Sequence, residues 1–172
     1  MKRRKRLEQL SFEDRLKLLR KGFLSEKEVA DLFADAGTHN YVKARNDVEK
    51  LLDHANPIIR YNAIGTLALE WGLDSRADRI KAIALRDPDS DCRRCAAAAL
   101  GSLFRDTKDP HTLKTLISIA RNSDEVQHVR AFAYTGALDV LGVSRDIQPN
   151  AFGLNVGRDE LAALDEYLVS LS

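Results

Sequence analysis

The sequence is poor in the residues that define several common protein classes. Its 172 residues include two cysteines, four prolines, nine glycines, one tryptophan and one methionine. Two cysteines cannot form a disulfide framework, and long alternating runs of β-branched residues are missing, which argues against a disulfide-rich or a β-rich domain. No stretch approaches the roughly 20 apolar residues of a membrane-spanning helix, and no apolar segment follows the basic N-terminus as in a secretory signal. We therefore expect a cytoplasmic protein that does not associate with membranes.

Charge is unevenly distributed along the chain, although its formal net charge is +1. Residues 1–24 contain nine Lys or Arg and three Asp or Glu, a balance of +6, which leaves about −5 for the remainder. A basic run suits contacts with nucleic-acid phosphates. One alternative function is therefore nucleic-acid binding through the leader, that is, through Lys2, Arg3, Arg4, Lys5 and Arg6. The mildly acidic body favours the other interpretation, a solvated leader that aids solubility or targeting.

Three segments of the chain share one pattern, and each is anchored on an arginine. Arg60, Arg93 and Arg130 are 33 and 37 residues apart, a spacing that suits a unit of two helices with their turns. An apolar or small residue stands one position before each anchor and again three, seven and eleven positions after it, which traces one stripe of a helix. Another segment with helical periodicity precedes each anchor. The sequence therefore predicts three pairs of helices.

Two further helices are predicted before these pairs. Ser25 and Glu28 have the spacing of a capping box, which typically starts a helix. Gly37 is expected to end the same helix, because glycine readily adopts the left-handed conformation of a helix C-terminus. We interpret these helices as a cap that shields the end of a stack of repeats.

A loop and a final helix are predicted after the pairs. The segment at 144–158 contains a proline and two glycines, which is typical of a loop. Helical periodicity then resumes, with an apolar stripe formed by Leu161, Leu164, Leu168 and Leu171. This last helix is either the first half of an incomplete fourth unit or a lid.

The three pairs resemble HEAT repeats, in particular the short bacterial type also found in the phycobilisome-lyase-like group. In that family an Asp in the turn between the two helices sits six residues before an Arg of the second helix. Asp87 and Asp124 stand at this distance from Arg93 and Arg130, whereas His54 takes the place before Arg60. The resemblance implies an all-α, right-handed α-solenoid of about three HEAT-like helix pairs with helical caps at both ends.

This resemblance gives the expected organisation of the chain and a role for its arginines. The predicted segments are a basic leader at 1–10, capping helices at 11–38, repeats at 39–143, a loop at 144–158 and a capping helix at 159–172. A partly buried arginine needs a carboxylate partner, so we interpret the anchors as a structural ladder that joins adjoining turns rather than as an anion-binding row. The ladder consists of Arg60, Asp87, Arg93, Asp124 and Arg130.

A candidate binding surface lies on the second helix of each pair, away from its core stripe. At about 100° per residue, positions 1, 2, 5, 9 and 12 after each arginine face outward, and in this family that row lines the inner curve. The row includes small residues such as Cys95 and Ala131. Its candidates for binding a partner are Tyr61, Asn62, Leu69, Arg94, Arg105, Phe132 and Asp139. An alternative is that Leu69 and Phe132 contact the neighbouring repeat instead.

Motifs of catalysis and metal binding are missing from the sequence. It lacks a glycine-rich phosphate loop, a nucleophile elbow and a zinc-protease motif, so we expect no enzyme, no cofactor and no metal. Cys92 and Cys95 have the spacing of redox and metal sites, but Cys92 falls on the core stripe and a second pair is missing, so we interpret both as core residues.

The most consistent function is protein binding. We expect an adaptor, a regulatory subunit or an inhibitor that binds a protein or peptide of unknown identity on the inner surface of the stack. The sequence leaves its oligomeric state open. A third alternative comes from the resemblance alone, because some phycobilisome-lyase-like proteins attach or detach bilin chromophores as one of two subunits, although no residue here can be assigned to that chemistry.

Overall fold

The computed structural model describes residue 7 and residues 9–39, 45–72 and 77–169. Within these ranges the regular secondary structure is entirely helical, which confirms the predicted all-α class. None of the described helices is both long and apolar enough to cross a membrane. The chain divides into two compact units, 1–71 and 72–172.

The first unit begins with two helices where the sequence predicts them. Helix α1 is Phe12–Arg20 and helix α2 is Glu26–His39. The Ser25 hydroxyl accepts a hydrogen bond from the Glu28 N–H at 3.4 Å, and the Glu28 carboxylate accepts one from the Ser25 N–H at 2.8 Å. The predicted capping box is therefore present, and it satisfies N–H groups that have no partner within the helix.

Gly37 does not end helix α2, which continues for two more residues. A Cβ atom at this position would lie 2.9 Å from Cγ of Glu70, so the glycine allows a close approach of another segment of the unit. The prediction was wrong because glycine suits both a helix end and a tight packing contact, and the sequence does not separate the two.

The first repeat consists of two distorted helices. Helix α3 is Arg45–Lys50 and continues as a 3-10 turn, Leu51–Asp53. Helix α4 is Pro57–Ile64, capped by Asn56, whose side-chain oxygen accepts from the Ile58 N–H at 2.9 Å. It continues in π geometry over Gly65–Glu70.

Trp71 closes the core of the first unit. Its indole N–H donates to the Ala36 carbonyl at 3.1 Å, and its side chain is buried. Tryptophan usually finds such a partner when it is buried. The bond joins the end of the first repeat to the cap helix α2.

The second unit contains the second and third repeats. Helices α5, Ala77–Arg86, and α6, Ser90–Leu103, form one pair. Helices α7, Pro110–Arg121, and α8, Gln127–Leu141, form the other. Helix α6 packs on both α5 and α8, and α7 packs on α8.

Aspartates cap two of these helices. The Asp89 carboxylate accepts from the Cys92 N–H at 3.0 Å, and the Asp109 carboxylate accepts from the Thr112 N–H at 2.7 Å. Asp109 is followed by Pro110 at the first helical position, where an N–H group would have no acceptor within the helix.

The last described helix, α9, is Arg158–Val169. Leu164 of the predicted stripe is fully buried, and Leu161 and Leu168 are half-buried. Leu171 lies outside the described residues. Helix α9 packs on α8, and Asp165 forms an ion pair with Arg121 of α7.

Candidate functional site

Helices α6 and α8 approach each other through a pair of glycines. A Cβ atom on Gly101 would lie 2.5 Å from Cα of Gly136, which is closer than two non-bonded carbon atoms approach in proteins. The absence of side chains at these positions allows the two backbones to touch. The outer rows of α6 and α8 consequently lie side by side.

Arg94 of α6 and Phe132 of α8 are in direct contact on this surface. The guanidinium carbon of Arg94 lies 5.1 Å from the centre of the Phe132 ring, a cation–π distance. Phe132 also meets Phe152 edge to face, with ring centres 5.0 Å apart and an interplanar angle of 85°. Arg94 also donates to Asp91 at 3.2 Å. We call Arg94, Phe132 and Phe152 the aromatic cluster.

Phe152 of this cluster is 74% exposed, which is unusual for a phenylalanine. It lies in the segment that the sequence predicts to be a loop, so it was absent from the predicted binding residues. The sequence does contain one indication of its exposure. Phe152 is an aromatic residue in a stretch rich in polar residues, proline and glycine, and this stretch has no apolar periodicity that would place it in a core.

Arg105, in the turn that follows α6, forms a second contact with Asp139 of α8. The guanidinium donates two hydrogen bonds to the carboxylate, at 2.6 and 3.0 Å. Arg145 and Gln148 donate to the same carboxylate at 3.4 and 3.1 Å. Asp139 is buried, so this charge serves to bind neighbouring segments of the unit.

The structure corrects the predicted outward row at three positions. Cys95, Ala131 and Asp139 are buried rather than exposed. The physical reason is the close approach of α6 and α8, which covers residues that would face water on an isolated helix. Arg94, Arg105 and Phe132 remain partly exposed.

The predicted binding residues of the first repeat all lie on α4. Tyr61 and Asn62 are half-buried, and Leu69 is 46% exposed in the π-helical part. The Asn62 amide donates to the Ile58 carbonyl at 2.7 Å, so this side chain bonds to its own helix. Of the seven predicted residues, the structure brings together Arg94 with Phe132 and Arg105 with Asp139.

The arginine ladder binds backbone oxygens as well as carboxylates. Arg60 donates to the carbonyls six and five residues earlier, His54 and Ala55, at 2.8 and 3.0 Å. Arg93 donates to the equivalent carbonyls of Asp87 and Pro88, at 2.7 and 3.3 Å. Because the acceptor at position −6 is the main chain, a histidine can replace the aspartate there.

The ladder differs from the prediction at Asp124 and Arg130. Asp124 is exposed, and Arg130 instead donates to the Ala120 carbonyl at 3.0 Å and to the Gln127 side chain at 3.2 Å. The acidic partner in this turn is Glu125, which binds Arg93 of the preceding repeat. Spacing alone does not reveal which of two neighbouring acidic residues faces the arginine.

Both cysteines are buried in α6 and are not joined in a disulfide. Burial raises the pKa of the Cys95 thiol to about 12, and the nearby Arg94 offsets this only in part. No group of three or more His, Cys, Asp or Glu suited to a metal ion occurs in the described part of the chain. The basic run Lys2 to Arg6 lies outside the described residues.

Comparison with known proteins gives a family match and a curated relative. A family model described as HEAT repeats matches residues 46–135, slightly more than half of the chain. Among curated proteins, the 26S proteasome regulatory subunit RPN2 of Eremothecium gossypii is 32% identical over 105 residues. These residues are 59% of this chain and 10% of RPN2, so the chain spans about a tenth of that relative's length. No solved structure matches the chain.

Proposed function

The chain belongs to the HEAT-repeat family, and from this premise we propose that it is a non-catalytic module that binds a protein or peptide. The fold of this family is an α-solenoid, in which each repeat contacts its neighbours and the second helices present a binding surface. We place the centre of the binding surface at Phe132, between α6 and α8. Tyr61, Asn62 and Leu69 on α4 are proposed as further contacts.

The observation that carries this proposal is the aromatic cluster. Arginine and aromatic side chains are enriched at the points of protein interfaces that contribute most to binding, because they combine a large contact area with directional polar groups. Arg94 and Phe132 already support each other, so little side-chain freedom is lost when a partner covers them. Arg105 and the buried Asp139 then hold the neighbouring segments together rather than act as independent contacts.

Membership of a protein assembly is a further part of the proposal. The curated relative RPN2 is, by its name, a regulatory subunit of the 26S proteasome. Since this chain matches only a small part of RPN2, we take from it the general role of a subunit or adaptor, and not the proteasome as partner. A location in the cytoplasm stays a prediction.

Two alternative functions have less support. Nucleic-acid binding depends on Lys2 to Arg6. The aromatic cluster adds little net positive charge, because its arginine, Arg94, forms an ion pair with Asp91. A lyase-like reaction would need a reactive group, and the raised pKa of Cys95 makes that thiol a poor nucleophile. Mixing the protein with bilin should leave the visible absorbance of the chromophore unchanged.

The proposal is tested by affinity capture from a lysate of the source cells, followed by mass spectrometry. Phe132→Ala and Arg94→Glu each remove part of the aromatic cluster. Leu85→Ala is the matched control, because Leu85 is an exposed apolar residue on α5. We expect one protein to be captured by the wild type and the control, and to be lost with both cluster variants while their thermal unfolding stays close to that of the wild type.

Nuclease treatment and a salt series separate this result from nucleic-acid binding. Capture that survives nuclease supports the proposal. Recovery of nucleic acid that disappears as salt rises, and that both cluster variants retain, would overturn it and would point to the basic leader.

A further inference from the structure

Residues 145–156, which we call the strap, lie along the exposed side of helix α8. Gln148 donates to Asp139 at 3.1 Å, near the C-terminal end of the helix. Phe152 meets Phe132 near the middle. The Leu154 carbonyl accepts from the Gln127 side chain at 3.2 Å, at the N-terminal end. The strap therefore runs antiparallel to α8 over most of its length.

The strap contains two turns, in which the Gln148 N–H donates to the Arg145 carbonyl at 3.3 Å and the Leu154 N–H donates to the Ala151 carbonyl at 3.4 Å. Four residues separate Gln148 from Phe152, and an extended chain spans about 13 Å over that distance. Asp139 and Phe132 are seven helical residues apart, which corresponds to about 10 Å. The intervening chain is therefore long enough to join the two contacts, and helix α8 presents a track on which a peptide can place an amide side chain and, four residues later, an aromatic ring.

The strap is fixed at its ends and lightly held between them. At one end the Val143 N–H donates to the Leu138 carbonyl at 3.0 Å, and at the other Val156 is buried. In between, backbone hydrogen bonds are local, such as the Phe152 N–H to the Asn150 side chain at 2.9 Å. Ile147 and Phe152 are 70% and 74% exposed. The middle of the strap can therefore leave α8 without unfolding the helix.

The groups beneath the strap keep partners when it leaves. Asp139 retains its two hydrogen bonds from Arg105, so removal of Gln148 does not strand a buried charge. Phe132 retains its contact with Arg94. Displacement consequently costs the hydrogen bonds of Arg145 and Gln148 to Asp139, the hydrogen bond of Gln127 to the Leu154 carbonyl and the ring contact of Phe152. Another segment of the same chemistry restores the amide and ring contacts.

We propose that the track on α8 between Asp139 and Gln127 is the binding groove for a short peptide segment, and that the strap is its internal occupant. The partner segment carries an amide or basic side chain for Asp139 and, four residues later, an aromatic side chain for Phe132. It is bound in place of Gln148 and Phe152. This inference rests on the proposed function and specifies the class of its partner.

The test uses a fluorescent peptide with the sequence of residues 144–157, SRDIQPNAFGLNVG, added to the full-length protein. A strap variant, Gln148→Ala with Phe152→Ala, removes both side chains that hold the internal occupant. Because the strap is part of the same chain, it competes with the added peptide at an effective concentration in the millimolar range. We therefore expect the peptide to bind the strap variant at least about tenfold more tightly than the wild type.

Two controls make the result specific. Ile147→Ala removes an exposed apolar residue of the strap and should leave the affinity at the wild-type value. A peptide with alanine at the position of Phe152 should bind the strap variant at least about tenfold more weakly than the original peptide, because a single aromatic anchor carries much of such an affinity.

Equal affinity of the peptide for the wild type and the strap variant would overturn the inference, as would no binding to a strap variant whose helical circular dichroism is unchanged. If the helical signal of the strap variant is reduced, hydrogen exchange of the wild-type protein tests the inference instead. Faster exchange at residues 145–155 than in α8 supports a displaceable strap, and equal protection overturns it. None of these outcomes depends on which protein is captured from the lysate. If the strap inference fails, the proposed function is still tested separately by the Phe132 and Arg94 variants.

Discussion

Arg93 and Glu125 are joined by two parallel hydrogen bonds, at 2.7 and 2.8 Å, although 32 residues separate them. The same guanidinium donates to the Asp87 carbonyl in the turn before α6, while Glu125 lies in the turn before α8. One side chain thus connects the turns of two successive repeats. Bidentate geometry and partial burial place this pair above an ordinary surface ion pair.

Replacement of Arg93 should destabilise the protein. In Arg93→Ala the Glu125 side chain, only 11% exposed, keeps its charge without this partner, so we expect the free energy of unfolding to fall by about 2–4 kcal/mol. Arg86→Ala, an exposed control on α5, should change it by less than about 0.5 kcal/mol. Urea denaturation measures both, and equal values for the two variants would contradict the structural role of the ladder.

Stability should fall in acid because of Glu125. The hydrogen bond from Arg93 holds the pKa of Glu125 below its ordinary value of 4.5, although burial acts in the opposite direction. A carboxyl group whose pKa is lower in the folded state stabilises the protein above its ordinary pKa, and the contribution is lost as pH falls through the folded value. Unfolding free energies measured from about pH 6 to pH 3 should therefore decrease. Glu125→Gln, which cannot titrate, should show a smaller decrease.

Alanine at Gly101 should destabilise the contact between α6 and α8. Alanine is favoured over glycine by about 1 kcal/mol inside a helix, but the new Cβ atom would lie 2.5 Å from Gly136. We expect a net loss of about 1–3 kcal/mol. Gly65→Ala is the matched control, since a Cβ atom there meets nothing within 4 Å, and it should be neutral or stabilising. A stable Gly101→Ala protein would show that the two helices separate easily.

Cys95 should be unreactive in the native protein. With a pKa of about 12, only about one thiol in ten thousand is ionised at pH 8, and the thiolate is the reactive form. Iodoacetamide should therefore label both cysteines rapidly in guanidinium chloride and very slowly without it, as mass spectrometry would show. Rapid labelling of the native protein would indicate that α6 opens frequently.

Local rules explain why much of the fold was predictable. The capping groups of Ser25, Asn56 and Asp109 act within three residues along the chain, so sequence spacing suffices to find them. The equivalent arginines Arg60 and Arg93 likewise each bind the carbonyl six residues earlier in the chain. Patterns of this range do not depend on how the helices pack.

The binding surface was less predictable because it depends on contacts between distant segments. Helical periodicity treats each helix alone, so Asp139 was expected on the surface, whereas the approach of α6 and the strap buries it. Phe152 and Gln148 have no periodic neighbours, and only the folded chain shows that they lie on α8. The partial exposure of Arg94 and Phe132 was predictable because both belong to helices with a regular pattern.

The π-helical segment of α4 has a consequence for how the repeats are compared. In Gly65–Glu70 each turn contains about one residue more than an α-helical turn, as the Trp71 N–H bond to the Thr66 carbonyl five residues earlier shows. Positions after Gly65 are therefore shifted in phase relative to the positions at the same offsets in α6 and α8, although Trp71 still reaches the core of its unit. The segment has the form of a single-residue insertion that the helix absorbed by widening.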